Sequence, residues 1–345
     1  MDWRYNERSF KTRIMKDFFA LTGKEKLEIF EQLRTKTGMV VQAIEKDWWV
    51  TQTLRLIFSM SCASDLVFKG GTSLSKAWGL IERFSEDVDL ALDRKYLGFV
   101  KPMTGSQVVK LRRASHQFIS TTFFEELKAK FAKAGFENLR IQLVDIKDID
   151  QDPIIIEIYY PSVTGQSEYL QPRVLVEIGS RSLREPFTVR TFTSLVGEQY
   201  AGKTFADDNI SIPVVNPERT FLEKIFLLHE EFQKPGDKIR VDRLSRHLYD
   251  LEKLMVTEFA DKALNDKELY QHIVDHRKTL TAIRGIDYAN HAPAKIKIIP
   301  PAEILSAWKK DYEIMQENMI YGKSLSFDKL MEQIASLQQR INDLK

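Results

Sequence analysis

The stretch that most constrains this chain runs from Phe68 to Leu92: Phe-Lys-Gly-Gly-Thr-Ser-Leu-Ser-Lys-Ala-Trp-Gly-Leu-Ile-Glu-Arg-Phe-Ser-Glu-Asp-Val-Asp-Leu-Ala-Leu. Its pattern predicts a short strand, a glycine turn, a helix and a second strand. The apolar run Asp65–Lys69 stops at Gly70-Gly71, where missing Cβ atoms permit a tight turn and close backbone approach. Thr72 or Ser73 is then placed to cap a helix reaching about Arg83, with Leu74, Ala77, Trp78 and Ile81 on one face. Its free N–H groups and dipole would make the turn a phosphate site built from Gly70, Gly71, Thr72 and Ser73. In the second strand Val88, Leu90 and Leu92 alternate with Asp87, Asp89 and Ala91. A two-residue period puts both carboxylates on one face, roughly 7 Å apart. Such a pair suits two magnesium ions about 3.5–4 Å apart that align a triphosphate during nucleotide transfer. Alone, Gly-Gly-Thr is an ordinary turn and Asp-x-Asp an ordinary strand edge; their succession across one helix makes the pattern specific.

At these residues the sequence resembles the AbiEii/AbiGii-type toxins of the nucleotidyltransferase superfamily, to which the MenT toxins are related. Gly-Gly-Thr-Ser-Leu-Ser-Lys, ending at Lys76, and Ser-x-Asp-x-Asp-Leu, starting at Ser85, carry the likeness. The resemblance implies a nucleotidyltransferase fold, magnesium-dependent use of a nucleoside triphosphate, and transfer of nucleotides to RNA, notably the tRNA acceptor end. It also implies a bacterial toxin–antitoxin and abortive-infection setting with a cognate antitoxin protein. Lys76 and Ser85 join the turn residues as nucleotide-binding candidates, and phosphorylation of Ser85 would set negative charge against a triphosphate.

Composition narrows the setting. The 345 residues suffice for one large or two ordinary domains, and 43% apolar with 29% charged residues reads as globular. No apolar run is long enough to span a membrane, and Met1-Asp-Trp-Arg-Tyr lacks a secretory core. The single cysteine, Cys62, fits a reducing cytoplasm as a buried apolar residue. A net charge of +2 leaves any nucleic-acid contact to local concentrations of basic residues.

Before the motif, Lys24–Arg34 and Met39–Met60 read as helices. Glu45-Lys-Asp-Trp-Trp-Val lies in the second and also resembles the family; Trp48 and Trp49 suit a core, and Lys46 and Asp47 are minor site candidates. After the motif, Ser106–Ala134 reads as one long helix. Strands follow over Asn138–Ile146, Pro153–Tyr160 and Arg173–Gly179, then Phe187–Val196 and an edge-like Ser211–Val215. In the third of these, Val174, Val176 and Ile178 share one face and Arg173, Leu175 and Glu177 the other. Glu177 is therefore a candidate third carboxylate, with Glu157 and Asp145 as competitors; the following Gly179-Ser-Arg-Ser resembles the family and favours Glu177. Arg181 is a phosphate candidate at a strand end.

Asn216-Pro217 signals a helix start. In the helix that follows, Lys224 lies among Phe221, Leu222, Ile225, Phe226 and Leu228, and Glu223-Lys224 matches the family pattern for a catalytic-site lysine. A helix over Ile239–Leu254 would align Arg243, Arg246 or His247, and Asp250. Arg-x-x-Arg-His-x-Tyr-Asp-Leu resembles the family's last motif, with Asp250 the acid that orients Lys224 or a nucleotide hydroxyl; a plain Arg246–Asp250 surface pair is the simpler alternative. His272 and His276 have the spacing of a zinc pair but lack the glutamate of a metalloprotease motif. Arg277, Lys278, Arg284, Lys295 and Lys297 form either an RNA track or a solvated surface, and Leu325–Leu344 reads as an amphipathic helix.

The expectation is an α+β protein: a nucleotidyltransferase lobe with a mixed sheet over residues 1–212 and a mostly helical lobe over 213–345. Asp87, Asp89, Glu177, Lys224 and Asp250 are the expected catalytic groups, with Asp87 and Asp89 holding Mg2+. Alternatives are a triphosphate-binding regulatory module without transfer, or nucleotide transfer to a protein hydroxyl.

Overall fold

The computed structural model describes residues 18–344, apart from 102, 137, 145–147, 149–150 and 166–169. The expected competitor Asp145 and most of the acidic turn after it lie outside the described residues. The fold is α+β, with a seven-stranded mixed sheet and many helices.

The chain enters through α1 (Gly23–Thr37), closed by a Thr22–Glu25 capping box and a left-handed Gly38. Helix α2 (Val41–Ile57) is almost wholly buried. Trp48 and Trp49 pack edge-on at 5.0 Å, and Trp49 stacks on Tyr160 at 5.0 Å, so both tryptophans serve the core. Strand β1 (Leu66–Lys69) leads into α3 (Gly70–Lys76), and β2 (Asp87–Leu92) follows.

Here the structure corrects the sequence reading. Helix α3 has seven residues and ends at Lys76, well short of Arg83; the left-handed Gly79 turns the chain away. Leu74 and Ile81 consequently join the hydrophobic cluster built on the C-terminal helices, while Ala77 and Trp78 join the sheet's own. Lys69 occupies the cap position. The Thr72 hydroxyl donates to the Asp87 carbonyl at 2.5 Å and the Ser73 hydroxyl to the Gly70 carbonyl at 2.9 Å, so neither residue caps the helix.

The long helix after the motif is α4 (Gly105–Phe118) and α5 (Phe124–Lys133), joined by a π-helical turn over Ile119–Phe123. Strands β3 (Arg140–Leu143), β4 (Ile154–Tyr159), β5 (Arg173–Gly179), β6 (Phe187–Phe192) and β7 (Ile210–Val215) complete the sheet, with short α6 (Leu195–Gln199) between the last two. The strand order is β3-β4-β5-β2-β1-β7-β6. Strand β7 is thus interior, between β1 and β6, and not the edge-like strand expected over Ser211–Val215.

Strand β2 runs antiparallel to β1 and parallel to β5. Its Val88, Leu90 and Leu92 are fully buried against the core that includes Trp48, whereas Asp87 and Asp89 are half-buried on the opposite face. The alternation in sequence therefore becomes an apolar floor and a charged face.

The remainder is helical: α7 (Pro217–Glu231), α8 (Arg246–Leu254), α9 (Glu258–Asn265), α10 (Lys267–His276), α11 (Leu305–Asn318) and α12 (Phe327–Asn342). Pro217 begins α7 as expected, though the Asn216 side chain accepts from Thr188 instead of capping the helix. Helix α8 is shorter than expected. Residues 239–241 are irregular and 242–245 form a turn in which Arg243 is left-handed, with φ 58°, so Arg243 stands outside the helix bearing Arg246, His247 and Asp250. Among the described residues no helix is long and apolar enough to cross a membrane.

Candidate active site

The site is built on three neighbouring strands. Asp89 lies opposite Lys69 of β1 on one side and Glu177 of β5 on the other, and Asp87 is opposite Leu175. Partners in register project to the same face, so Lys69, Asp89 and Glu177 form a row beside Asp87. Burial, then Asp89 and Glu86, pushes the Asp87 carboxyl up to about 6. Burial and Asp89 also raise Glu177, with Lys69 acting in the opposite sense. Oδ1 of Asp87 is buried without a hydrogen-bond partner.

Two glycines make this packing possible. A Cβ on Gly70, whose φ is +81°, would collide with Oδ2 of Asp89. A Cβ on Gly71 would lie 2.7 Å from Nη2 of Arg83 and 3.0 Å from Oγ of Ser85. The double glycine therefore brings backbone against the Asp89 carboxylate and against an arginine.

Helices α7 and α8 supply the facing groups. Lys224 Nζ lies 2.7 Å from Oδ2 of Asp250 and 3.3 Å from Nδ1 of His247. Asp250 is fully buried and held well below the usual carboxylate range: Arg83 and then Lys224 outweigh the burial that would raise it. Burial lowers the Lys224 ammonium, partly offset by Asp250, and holds His247 well below its ordinary value, so the imidazole is neutral. The alternative Arg246–Asp250 pair does not form. Asp250 takes Arg83 instead, and Arg246 reaches across to Oδ2 of Asp87 at 4.0 Å.

Other expected residues are committed elsewhere. Lys76 pairs with Asp47 at 2.5 Å, and Asp47 also accepts from the Leu195 N–H at 2.8 Å. Lys76, Asp47, Thr72, Arg83, Ser85 and Tyr321 border a cavity of about 200 Å³. Glu157 is engaged by Arg173, Gln142 and Tyr159. Arg181 binds Asp152, with Nε 3.5 Å from Oδ2. Arg277 is half-buried and paired with Glu230, with His291 3.2 Å from the same carboxylate, so its charge is spent within the protein and not along a basic surface track.

Sequence reasoning missed three groups: Lys69, Arg83 and Glu86. Glu86 is buried between Lys46 at 2.5 Å and Arg243 at 2.6 Å, and those cations outweigh the burial that would raise its carboxyl. The available signal was their position inside the motif stretch, where every charged residue has a reason to be present.

Among the described residues no group of three or more His, Cys, Asp and Glu side chains is arranged as a metal shell. Asp87 and Asp89 nonetheless offer hard oxygen donors, and the unpartnered Oδ1 of Asp87, with its raised proton affinity, marks a place short of positive charge. The donor set thus fits a divalent ion completed by ligands from outside the protein.

A mixed sheet that crowds acids at its centre and meets them with a buried lysine–aspartate pair is the architecture of a nucleotidyltransferase. The chain belongs to the family described as nucleotidyl transferase AbiEii toxin, type IV toxin–antitoxin system, whose model matches residues 55–333. Among solved structures it is similar to MenT4, a nucleotidyltransferase toxin from Mycobacterium tuberculosis, at 16% identity and TM-score 0.45, over 94% of this chain and 98% of that one. It is also similar to JHP933 from Helicobacter pylori, at 15% identity and TM-score 0.37, over 88% of this chain and 93% of that one. No curated protein matches the sequence.

Proposed function

We propose that this chain is a toxin that transfers a nucleoside monophosphate from a nucleoside triphosphate to RNA, at the 3′ acceptor end of tRNA, in the cytoplasm of a bacterium that also makes its antitoxin. The observation that supports the reading is the row Asp89–Glu177 beside Asp87, approached at 4.0 Å by Arg246 from the same helix that carries Asp250, the partner of Lys224. We take residues 1–212 as the transferase lobe and 213–345 as the helical lobe, with substrate between them.

In this reading Asp87 and Asp89 hold Mg2+, which when bound neutralises triphosphate charge and orients the α-phosphate. The turn at Gly70, Gly71, Thr72 and Ser73 meets the phosphates through backbone N–H groups, since first-turn amides lack intrahelical partners. The hydroxyls of Thr72 and Ser73 are already spent on backbone carbonyls. Lys224 keeps one N–H beyond those directed at Asp250 and His247 and offers it, with its charge, to a phosphate oxygen. Glu177 accepts the proton of the RNA 3′ hydroxyl as its oxygen bonds to the α-phosphorus; the bond to the β-phosphate oxygen breaks and pyrophosphate leaves. Lys76 and Ser85 border the neighbouring cavity, and we assign them to the nucleotide's surroundings, not to its phosphates.

Purified protein incubated with bacterial RNA, magnesium and each α-labelled triphosphate in turn tests the reading. Label in a tRNA-sized band, lost with Asp87→Ala, is the expected result. Label on protein moves the acceptor to a protein hydroxyl; triphosphate binding without transfer leaves a binding module.

A further inference from the structure

We propose that Arg83 is a positioning residue of this site: it fixes Asp250, and through Asp250 the ammonium of Lys224. The kinetic arm of the test rests on the proposed transfer reaction; the chemical arm does not.

Arg83 is 1% exposed. Its Nε donates to Oδ1 and its Nη2 to Oδ2 of Asp250, both at 2.7 Å, while Nη1 donates to the Phe84 carbonyl at 3.2 Å. A planar fork matched to a carboxylate fixes both position and rotation of that carboxylate. Oδ2 of Asp250 is also the atom that receives Lys224 at 2.7 Å. Three of its five N–H donors go to Asp250 and to the Phe84 carbonyl, so the largest share of its hydrogen bonding is spent on holding the carboxylate that receives Lys224.

Arg83 is itself clamped. It forms a β-bridge with Ile320, and the segment around it is tied to the chain between α11 and α12. The Phe84 N–H donates to the Met319 carbonyl at 2.7 Å, and the Tyr321 N–H to the Glu82 carbonyl at 3.1 Å. On its other side the guanidinium rests on Gly71, close enough that a Cβ there would lie 2.7 Å from Nη2. One arginine in the motif loop thus joins the glycine turn, the acid of α8 and the lysine of α7.

Charge explains why the arrangement matters. Asp250 is one anion shared by two buried cations, so its charge is divided and part of the Lys224 charge stays available to a phosphate oxygen. Without Arg83 the carboxylate would pair with Lys224 alone and be free to rotate. A lysine at position 83 could not span both oxygens.

The test is a double-mutant cycle on the full chain combined with acylation of lysines by acetic anhydride, read at Lys224 by mass spectrometry. Arg83→Lys is expected to lower kcat/KM for the triphosphate on the order of tenfold in the native background and to change it little in Lys224→Met. Equal losses in both backgrounds would overturn the proposal, since a merely structural arginine acts independently of Lys224. In the chemical arm, Arg83→Lys is expected to change the acylation rate of Lys224 about threefold or more relative to exposed Lys24; an unchanged rate overturns the proposal. If Arg83→Lys does not fold, Gly71→Ala displaces the guanidinium without altering Asp250 or Lys224 and is expected to shift the same rate. Should native protein transfer no nucleotide, the transfer reading falls while the acylation result still decides the role of Arg83.

Discussion

Asp89 and Glu177 face each other in register across two parallel strands, with Asp87 two residues before Asp89 on the same face. Strand neighbours of like charge repel, and here the repulsion is placed at the centre of the sheet, where burial magnifies it. Arg246, 4.0 Å from Asp87, offsets part of it. The fold therefore stores unfavourable charge at the position where a triphosphate and its cations are proposed to sit, as expected of a site kept for function at the expense of stability.

The pH dependence follows from Asp87. Its folded value of about 6 lies above the ordinary 3.8, so the folded state holds the proton more tightly than the unfolded chain. Asp87 thus contributes nothing adverse below pH 4, and stability is lost as pH rises from about 4 to about 6. Asp87→Asn should raise Tm at pH 7.5 by a few degrees, equivalent to at most about 3 kcal/mol, and should change Tm little at pH 4. Magnesium with triphosphate should raise Tm of the native protein and not of Asp87→Asn. Calorimetry at the two pH values checks this; a Tm lowered by Asp87→Asn at pH 7.5 would contradict the stored-charge account.

Glu177 and Glu157 are separable by substitution. The Glu157 carboxylate is satisfied by Arg173, Gln142 and Tyr159, whereas Glu177 is raised by burial and by Asp89. Glu177→Gln should cut transfer by about a hundredfold or more with the fold intact. Glu157→Gln should destabilise while leaving the rate of the folded protein within a few-fold. Single-turnover transfer beside urea titration distinguishes the two, and the reverse ranking would make Glu157 the third acid.

Gly70→Ala should fail for two reasons at once. The position is left-handed, and a Cβ there would meet the Asp89 carboxylate. Left-handed backbone alone costs about 1–2 kcal/mol for a residue with a side chain, and Asp89 must move as well. Gly79 is equally left-handed with open space around it. Gly79→Ala should thus show the backbone cost in Tm and keep transfer, whereas Gly70→Ala should lose both.

Much of the geometry of the candidate site could be read in the sequence because it depends on short-range periodicity. Alternation along β2 and β5 put Asp87, Asp89 and Glu177 on faces that the sheet then brought together, and the Pro217 helix start placed Lys224 on a buried stretch. The failures are of a different kind. Helix α3 stops at Lys76 because Gly79 turns left-handed and Arg83 is drawn to Asp250, 167 residues later. No local pattern records a partner that distant. Arg243 left its expected helix face because it serves Glu86, and Lys76 was captured by Asp47. Side chains that choose between several opposite charges are decided by packing, which a spacing rule does not contain.

Glu86 supports the last prediction. It is buried next to Asp87 and bridges Lys46 of α2 with Arg243 of the turn before α8. Lys46 is 1% exposed, and burial lowers its ammonium while Glu86 acts to raise it. Glu86→Gln would leave that ammonium buried without a full counter-charge, a change that costs about 3–5 kcal/mol when one partner of a buried pair is removed. Lys46→Met with Glu86→Gln removes both charges together, so the double variant should recover much of the stability lost by the single one. Arg243 still loses its partner in the double variant, which makes recovery incomplete. Glu86 also raises Asp87, so the Glu86→Gln variant should titrate Asp87 at lower pH than the native protein, and removing the Lys46 charge in the double variant should offset part of that change. Urea unfolding of the three proteins, with carboxylate titration by NMR, checks both statements. Equal stability of single and double variants would show that Lys46 is not held by Glu86.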